Sequence, residues 1–140
     1  MREITKEMIH LYGIKKLGFD FMGYTFQRTD ELSFHHLIIP KKDCKKKGLG
    51  EGYLWWNGAI LNQNSSHDYL HLIERIDREI FLLITNLIIE ENQNMKIDLD
   101  TLKKIRSLLI YFEKEHENDR GNKNKILIKK RFITNRIELP

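Results

Sequence analysis

Apolar residues recur along this chain with two different periods, and the change of period divides it into segments. Over residues 4–17, Ile4, Met8, Ile9, Leu11, Tyr12, Ile14 and Leu17 fall at helical spacing. That stripe predicts an N-terminal helix, weakened in its second half by Gly13. Residues 18–30 hold Phe19, Phe21, Met22, Tyr24 and Phe26 between turn points at Gly18 and Gly23. Such aromatics can stack nucleic-acid bases, but core packing is the simpler use of them in a small domain.

The period then shortens. Residues 32–40 are rich in β-formers (Phe34, Leu37, Ile38, Ile39) and end at Pro40, which predicts a strand. A run with five lysines and three glycines follows and is expected to be a flexible, exposed loop. Residues 54–61 predict a second strand, with Trp55 and Trp56 at its entrance and a bulge or close backbone approach at Gly58. From Ser65 or Ser66, expected as the cap with Asp68 in the first turn, the stripe Leu70, Ile73, Ile76, Ile80, Leu83, Ile84, Leu87 predicts one helix to about Glu91. Phe81, Leu82 and Ile88 lie off that stripe. The second half is therefore apolar over most of its circumference, and residues 73–89 are expected to bury themselves in the domain, in a protein partner or in a homodimer.

After the polar break at residues 91–94, Asp98 or Asp100 caps a third helix with the stripe Leu102, Ile105, Leu109, Phe112, expected to pack antiparallel on the one before. Residues 126–139 alternate apolar and basic positions, which predicts a strand with a basic face or, failing that, a basic tail. The predicted class is α+β. The expected organisation is a single domain over residues 1–140, with an N-terminal helix and aromatic segment at 1–31, a strand–strand–helix core at 32–92 and a C-terminal helix with a basic strand or tail at 97–140.

Length and composition narrow this further. A chain of 140 residues supports one modest core. No apolar run approaches a membrane span, the first residues do not read as a signal peptide, and the single cysteine, Cys44, makes no internal disulfide. A cytoplasmic setting without membrane contact is the expectation. The net charge of +4 is unevenly spread: residues 1–65 carry +3, residues 66–117 carry −4 and residues 118–140 carry +5. A phosphate backbone would be drawn to the first and last of these. The expected nucleic-acid contacts are Lys41, Lys42, Lys45, Lys46 and Lys47 in the loop and Lys129, Lys130 and Arg131 near the end.

The candidate chemistry is carried by histidine. Four of the six histidines lie between residues 33 and 74: His35 and His36 side by side in the first strand, His67 and His71 at the start of the helix. Positions i and i+4 share one helical face, so His67 and His71 can share one metal ion. His10 and His116 stand apart and read as ordinary surface or core residues. H-D-Y-L-H is near the zincin H-E-x-x-H, but Asp68 stands where the basic Glu is needed, which argues against a metalloprotease.

The order S-F-H-H on one strand, W-W-N-G on the next and H-D-Y-L-H on a helix resembles the HNH (ββα-metal) nuclease family, over about a third of the chain. Its H-x-x-x-H ending is most similar to the colicin-type DNases. The resemblance implies His35, His67 and His71 as ligands of one divalent metal ion, His36 as general base and Asn57 as the residue that holds the loop and strands in shape. It departs from the family in lacking cysteine pairs for a second zinc and a Gly-Gly turn after the His pair. Imidazole ligands suit zinc, nickel or manganese, and magnesium poorly. Neighbours on a strand face opposite ways, which fits one of the two adjacent histidines to metal and the other to water.

The implied activity is metal-dependent hydrolysis of nucleic-acid phosphodiesters, DNA before RNA, with a loss of activity expected below about pH 6, near the reference imidazole pKa of ~6.5. The alternative is a non-catalytic interaction protein on an HNH-like scaffold, such as a phage or mobile-element inhibitor of another nuclease, as anti-CRISPR proteins are. A third possibility is a nucleic-acid-binding module with a structural metal.

Overall fold

A computed structural model describes residues 1–117 and 128–140. It is an α+β fold of helices packed around a two-stranded antiparallel sheet. In chain order these are α1 (Glu3–Leu11), α2 (Ile14–Leu17), β1 (Leu32–His36), α3 (Lys41–Cys44), β2 (Gly58–Asn62), α4 (Ser66–Ile76), α5 (Arg78–Gln93), α6 (Leu99–Glu117) and α7 (Arg131–Thr134). Gly13, at φ 63°, separates α1 from α2, so the expected N-terminal helix is broken where its glycine stands. No helix among the described residues is long and apolar enough to cross a membrane.

The sheet is small and central. β1 pairs with β2 in the register Ser33↔Leu61, Phe34↔Ile60, His35↔Ala59, His36↔Gly58. Every residue of β2 is buried. The strand expected over residues 32–40 ends at His36: Leu37 N–H still meets the Asn57 carbonyl in register, but the Ile38 and Ile39 N–H groups both turn to the Asn57 side-chain oxygen. Trp55–Asn57 form a 3-10 turn, so the second strand starts only at Gly58. The close approach at Gly58 is to a ring: a Cβ there would lie 2.0 Å from Cζ of Phe34.

The lysine-rich segment is ordered, in place of the expected flexible loop. It folds as α3 and a 3-10 turn, Lys45–Lys47, over the buried Cys44, whose thiol faces the Ile39 and Pro40 carbonyls. The lysines point outward from this plug, which explains why composition alone reads the segment as solvated loop.

The long helix expected over residues 65–91 is two helices. Asp77 (φ −141°, ψ 84°) ends α4 and caps α5, accepting from the Ile80 N–H at 3.1 Å. Because the chain turns there, the buried face of α5 is Ile80, Phe81, Ile84 and Ile88, while Leu82 and Leu83 are nearly half exposed. The expected stripe places Leu83 inside and Phe81 and Ile88 outside it; the interruption resets the helical phase. At the start of α4 neither serine caps by its side chain. Ser66 Oγ instead donates to Asp20.

α6 is capped by Asp98, which accepts from the Thr101 N–H, and it runs antiparallel to α5: Lys96 N–H meets the Glu91 carbonyl at one end and His116 meets Asp77 at the other. Residues 128–140 form no basic strand. They make α7 and a single bridge, Tyr24↔Arg136, and Phe132 stacks on Tyr69 with ring centroids 4.5 Å apart. Ile126 of the expected strand lies outside the described residues. Phe21, Met22 and Tyr24 are fully buried, so the aromatic segment builds the core, which runs as one cluster from Met8 to Phe132.

Candidate metal centre

β alternation decides which side chains meet. Phe34 and His36 project on one side of β1, where their rings pack at 5.1 Å and both meet Tyr53. Ser33 and His35 project on the other, towards α4. There His67 and His71, one helical turn apart, close over His35, with ring centroids 4.9, 5.2 and 5.0 Å apart. One nitrogen from each imidazole lies within 4.8 Å of the others.

This set can hold a metal ion. His35 is only 4 % exposed, and its Nε2 has no hydrogen-bond partner. A buried polar nitrogen left alone is costly unless something fills its lone-pair direction. His67 Nδ1 is engaged by Ser33 Oγ at 2.7 Å and His71 Nδ1 approaches Glu74 Oε1 at 3.4 Å, which leaves both Nε2 atoms for a ligand. Burial, reinforced by the neighbouring imidazoles, holds the His35 pKa well below the usual value. Burial and then the charge of His71 push His67 down to about 4, with Asp68 opposing. Both are neutral near pH 7, the form a metal requires.

His36 sits beside this group without joining it. Its Nε2 lies 2.8 Å from the Glu51 carbonyl. A carbonyl only accepts, so Nε2 carries the proton and Nδ1 keeps its lone pair. Burial, assisted by the Lys41 and Arg2 charges, lowers the His36 pKa, against the opposing bond to Glu51. The four imidazoles line one open cleft of about 670 Å³, together with Lys41, Lys42 and Arg78.

Asn57 is buried behind the cleft and ties its walls. Its Oδ1 accepts from the Ile38 and Ile39 N–H groups at 3.1 and 2.8 Å, and its Nδ2 donates to the Ile39 and Gly52 carbonyls. One amide thus fixes both ends of the lysine segment next to the His36 strand. Gly52, at φ 76°, completes the fit, since a Cβ there would lie 2.2 Å from Cys44 Sγ.

The basic residues divide. Lys41 and Lys42 line the cleft; Lys45, Lys46 and Lys47 are exposed on the turn beyond it. Lys129 and Lys130 are exposed, while Arg131 is engaged by Asp68, so the carboxylate beside His67 already occupies one expected phosphate contact. Sequence reasoning missed three participants. Ser33 and Arg78 carried no signal beyond their places in a strand and a helix. Asp20 could have been noticed only as a lone acid in an aromatic run. Its carboxylate accepts from the Met22, Tyr24 and Asn62 N–H groups and from Ser66, fixing β2 to the start of α4; burial raises its pKa to about 6, against those hydrogen bonds. Compared with known proteins, the chain matches no family model, no curated protein and no solved structure.

Proposed function

We propose that this chain is a metal-dependent endonuclease of the HNH (ββα-metal) kind, acting on DNA in preference to RNA. The observation that carries the proposal is the pairing, in one cleft, of three convergent imidazoles with a fourth that is neutral and oriented but outside the group. A divalent ion held by His35, His67 and His71 would supply Lewis-acid charge to the phosphodiester oxygens. His36, with Nε2–H committed to Glu51, offers Nδ1 to take a proton from an attacking water, a role worth ~10²–10⁴-fold. Lys41, Lys42 and Arg78 line the same cleft and attract the backbone. Asn57 keeps the wall that carries Glu51, and so His36, in place. The β1–β2–α4 order supports the family reading, in which zinc, nickel or manganese suits the three imidazoles better than magnesium.

The test is cleavage of supercoiled plasmid with a panel of divalent ions, comparing the protein with His36→Ala. Cleavage that depends on the ion and on His36 supports the proposal; a folded, metal-loaded protein that cuts with no ion overturns it.

One observation favours a second reading, a non-catalytic inhibitor or partner of another nuclease. Leu82 and Leu83 of α5 are nearly half exposed, and Leu82 lies on the cleft wall with Phe81. Tight capture of a single protein, unchanged by His36→Ala and lost on Leu82→Glu, would select that reading.

A further inference from the structure

Ser33 is two residues before His35 on β1, on the same side of the strand, facing α4. Its Oγ lies 2.7 Å from Nδ1 of His67 and 3.4 Å from the carbonyl of Leu61, its partner across the ladder. A hydroxyl has one proton and two lone pairs. The Leu61 carbonyl can only accept, so it gives that proton a place and leaves Oγ to accept from Nδ1–H of the imidazole. A neutral ring protonated at Nδ1 has its lone pair at Nε2, the nitrogen left free beside His35 and His71.

We propose that Ser33 is a positioning residue: it holds neutral His67 in the Nδ1–H tautomer and so presents the Nε2 lone pair to a divalent cation shared with His35 and His71. The inference rests on the reading of these histidines as a metal centre. It assigns Ser33 the closest such contact made to the cluster, 2.7 Å to His67 Nδ1. The corresponding contact of His71, to Glu74, is longer and lies on a side chain that is 54 % exposed. Neutral free imidazole favours the opposite tautomer, so without Ser33 the ring must change tautomer before it can bind. Removing the partner that fixes a ligand histidine typically weakens metal affinity ~10–100-fold.

The experiment uses the full chain, metal-free and then titrated with Co(II) and Zn(II), for the parent protein, Ser33→Ala and Ser33→Thr. Long-range ¹H–¹⁵N correlation spectra near neutral pH read the tautomer directly, and amide spectra check that each variant is folded. The expected result is an Nδ1–H tautomer for His67 in the parent and in Ser33→Thr, a shift towards Nε2–H in Ser33→Ala, and ~10–100-fold weaker metal binding in Ser33→Ala alone. An Nε2–H tautomer in the parent, or Ser33→Ala binding metal as tightly as the parent, overturns the role of Ser33 while leaving the metal centre standing. A parent protein that shows the Nδ1–H tautomer yet takes up neither ion overturns the metal centre and, with it, any positioning role for Ser33.

Discussion

His36 and His67 are both imidazoles in one cleft, yet their surroundings separate their consequences. His67→Ala removes one of the three convergent imidazoles and, on the proposed function, should abolish stoichiometric zinc or cobalt uptake together with any cleavage. His36→Ala should keep the metal, as measured by equilibrium dialysis, and lower cleavage ~10²–10⁴-fold. Equal loss of metal in both variants would refute the division of labour. The acid limit of activity follows from the same burial. His36, His35 and His67 all have pKa values below that of free imidazole. A base must be unprotonated to act, so cleavage should persist below the limit near pH 6 that unperturbed imidazoles would set. Asn57 supports this arrangement through four hydrogen bonds to backbone. Asn57→Ala would leave the Ile38 and Ile39 N–H groups without their acceptor, at about 1–3 kcal/mol each, visible as a lower urea midpoint. The three convergent imidazoles, together with His36 and Asn57, stood out in the sequence because their residue types and spacing are unusual. Ser33 was not, since a serine in a strand has no chemistry until the helix that faces it is placed.

At the scale of elements, the antiparallel strand pair followed by a helix was legible because periods 2 and 3.6 differ sharply there. The break at Asp77 was hidden by an accident of spacing: Ile73, Ile76 and Ile80 continue a helical stripe across a residue that is not helical. Asp77 with Glu79 two residues on was the available signal, an N-cap and first-turn acid inside an apolar run. The basic strand expected over residues 126–139 failed for a different reason. Arg136 is drawn inward by Glu113 and Tyr24, and Phe132 by Tyr69, so tertiary partners outweigh a weak alternation. Gly58 shows how tightly the elements must fit. A methyl group there would strike the Phe34 ring, which itself packs on His36. Gly58→Ala should cost about 1–3 kcal/mol by overpacking and disturb His36 more than the His35, His67 and His71 cluster. Urea denaturation and metal titration of the variant separate those effects.

The whole molecule carries an uncommon ionisable group in its interior. Glu91, 1 % exposed at the end of α5, has no hydrogen bond of normal geometry to either carboxyl oxygen. Burial raises its pKa to about 9; the Asp98 backbone opposes this, and Asp20, Asp98 and Glu90 add to it. Between about pH 4.5 and 9 the folded state therefore holds a proton that the unfolded state has released. The stability associated with the neutral acid is complete below about pH 4.5 and is lost as pH rises through about 9, at roughly 1.4 kcal/mol per pH unit. Asp20, raised to about 6, acts in the same direction up to that pH. His35, His36 and His67 act in the opposite one: their depressed pKa values contribute stability above the unfolded imidazole value that is lost as pH falls, through about 4 for His67. Below pH 6 the two acids and the three imidazoles oppose one another. Above about pH 7.5 these imidazoles and Asp20 have nearly the same charge in both states, and of these groups only Glu91 still changes stability with pH. Metal-free protein should therefore lose on the order of 1–2 kcal/mol between pH 6.5 and 8.5, read from urea midpoints, the decline from Glu91 being partly offset near pH 6.5 by the last of the imidazole titration. Glu91→Gln, nearly isosteric with the neutral acid, should flatten that decline and exceed the parent in stability at pH 8.5. A parent protein whose stability is already level across the interval would mean that the carboxyl group is ionised where it sits, and that water or an unrecognised cation reaches the end of α5.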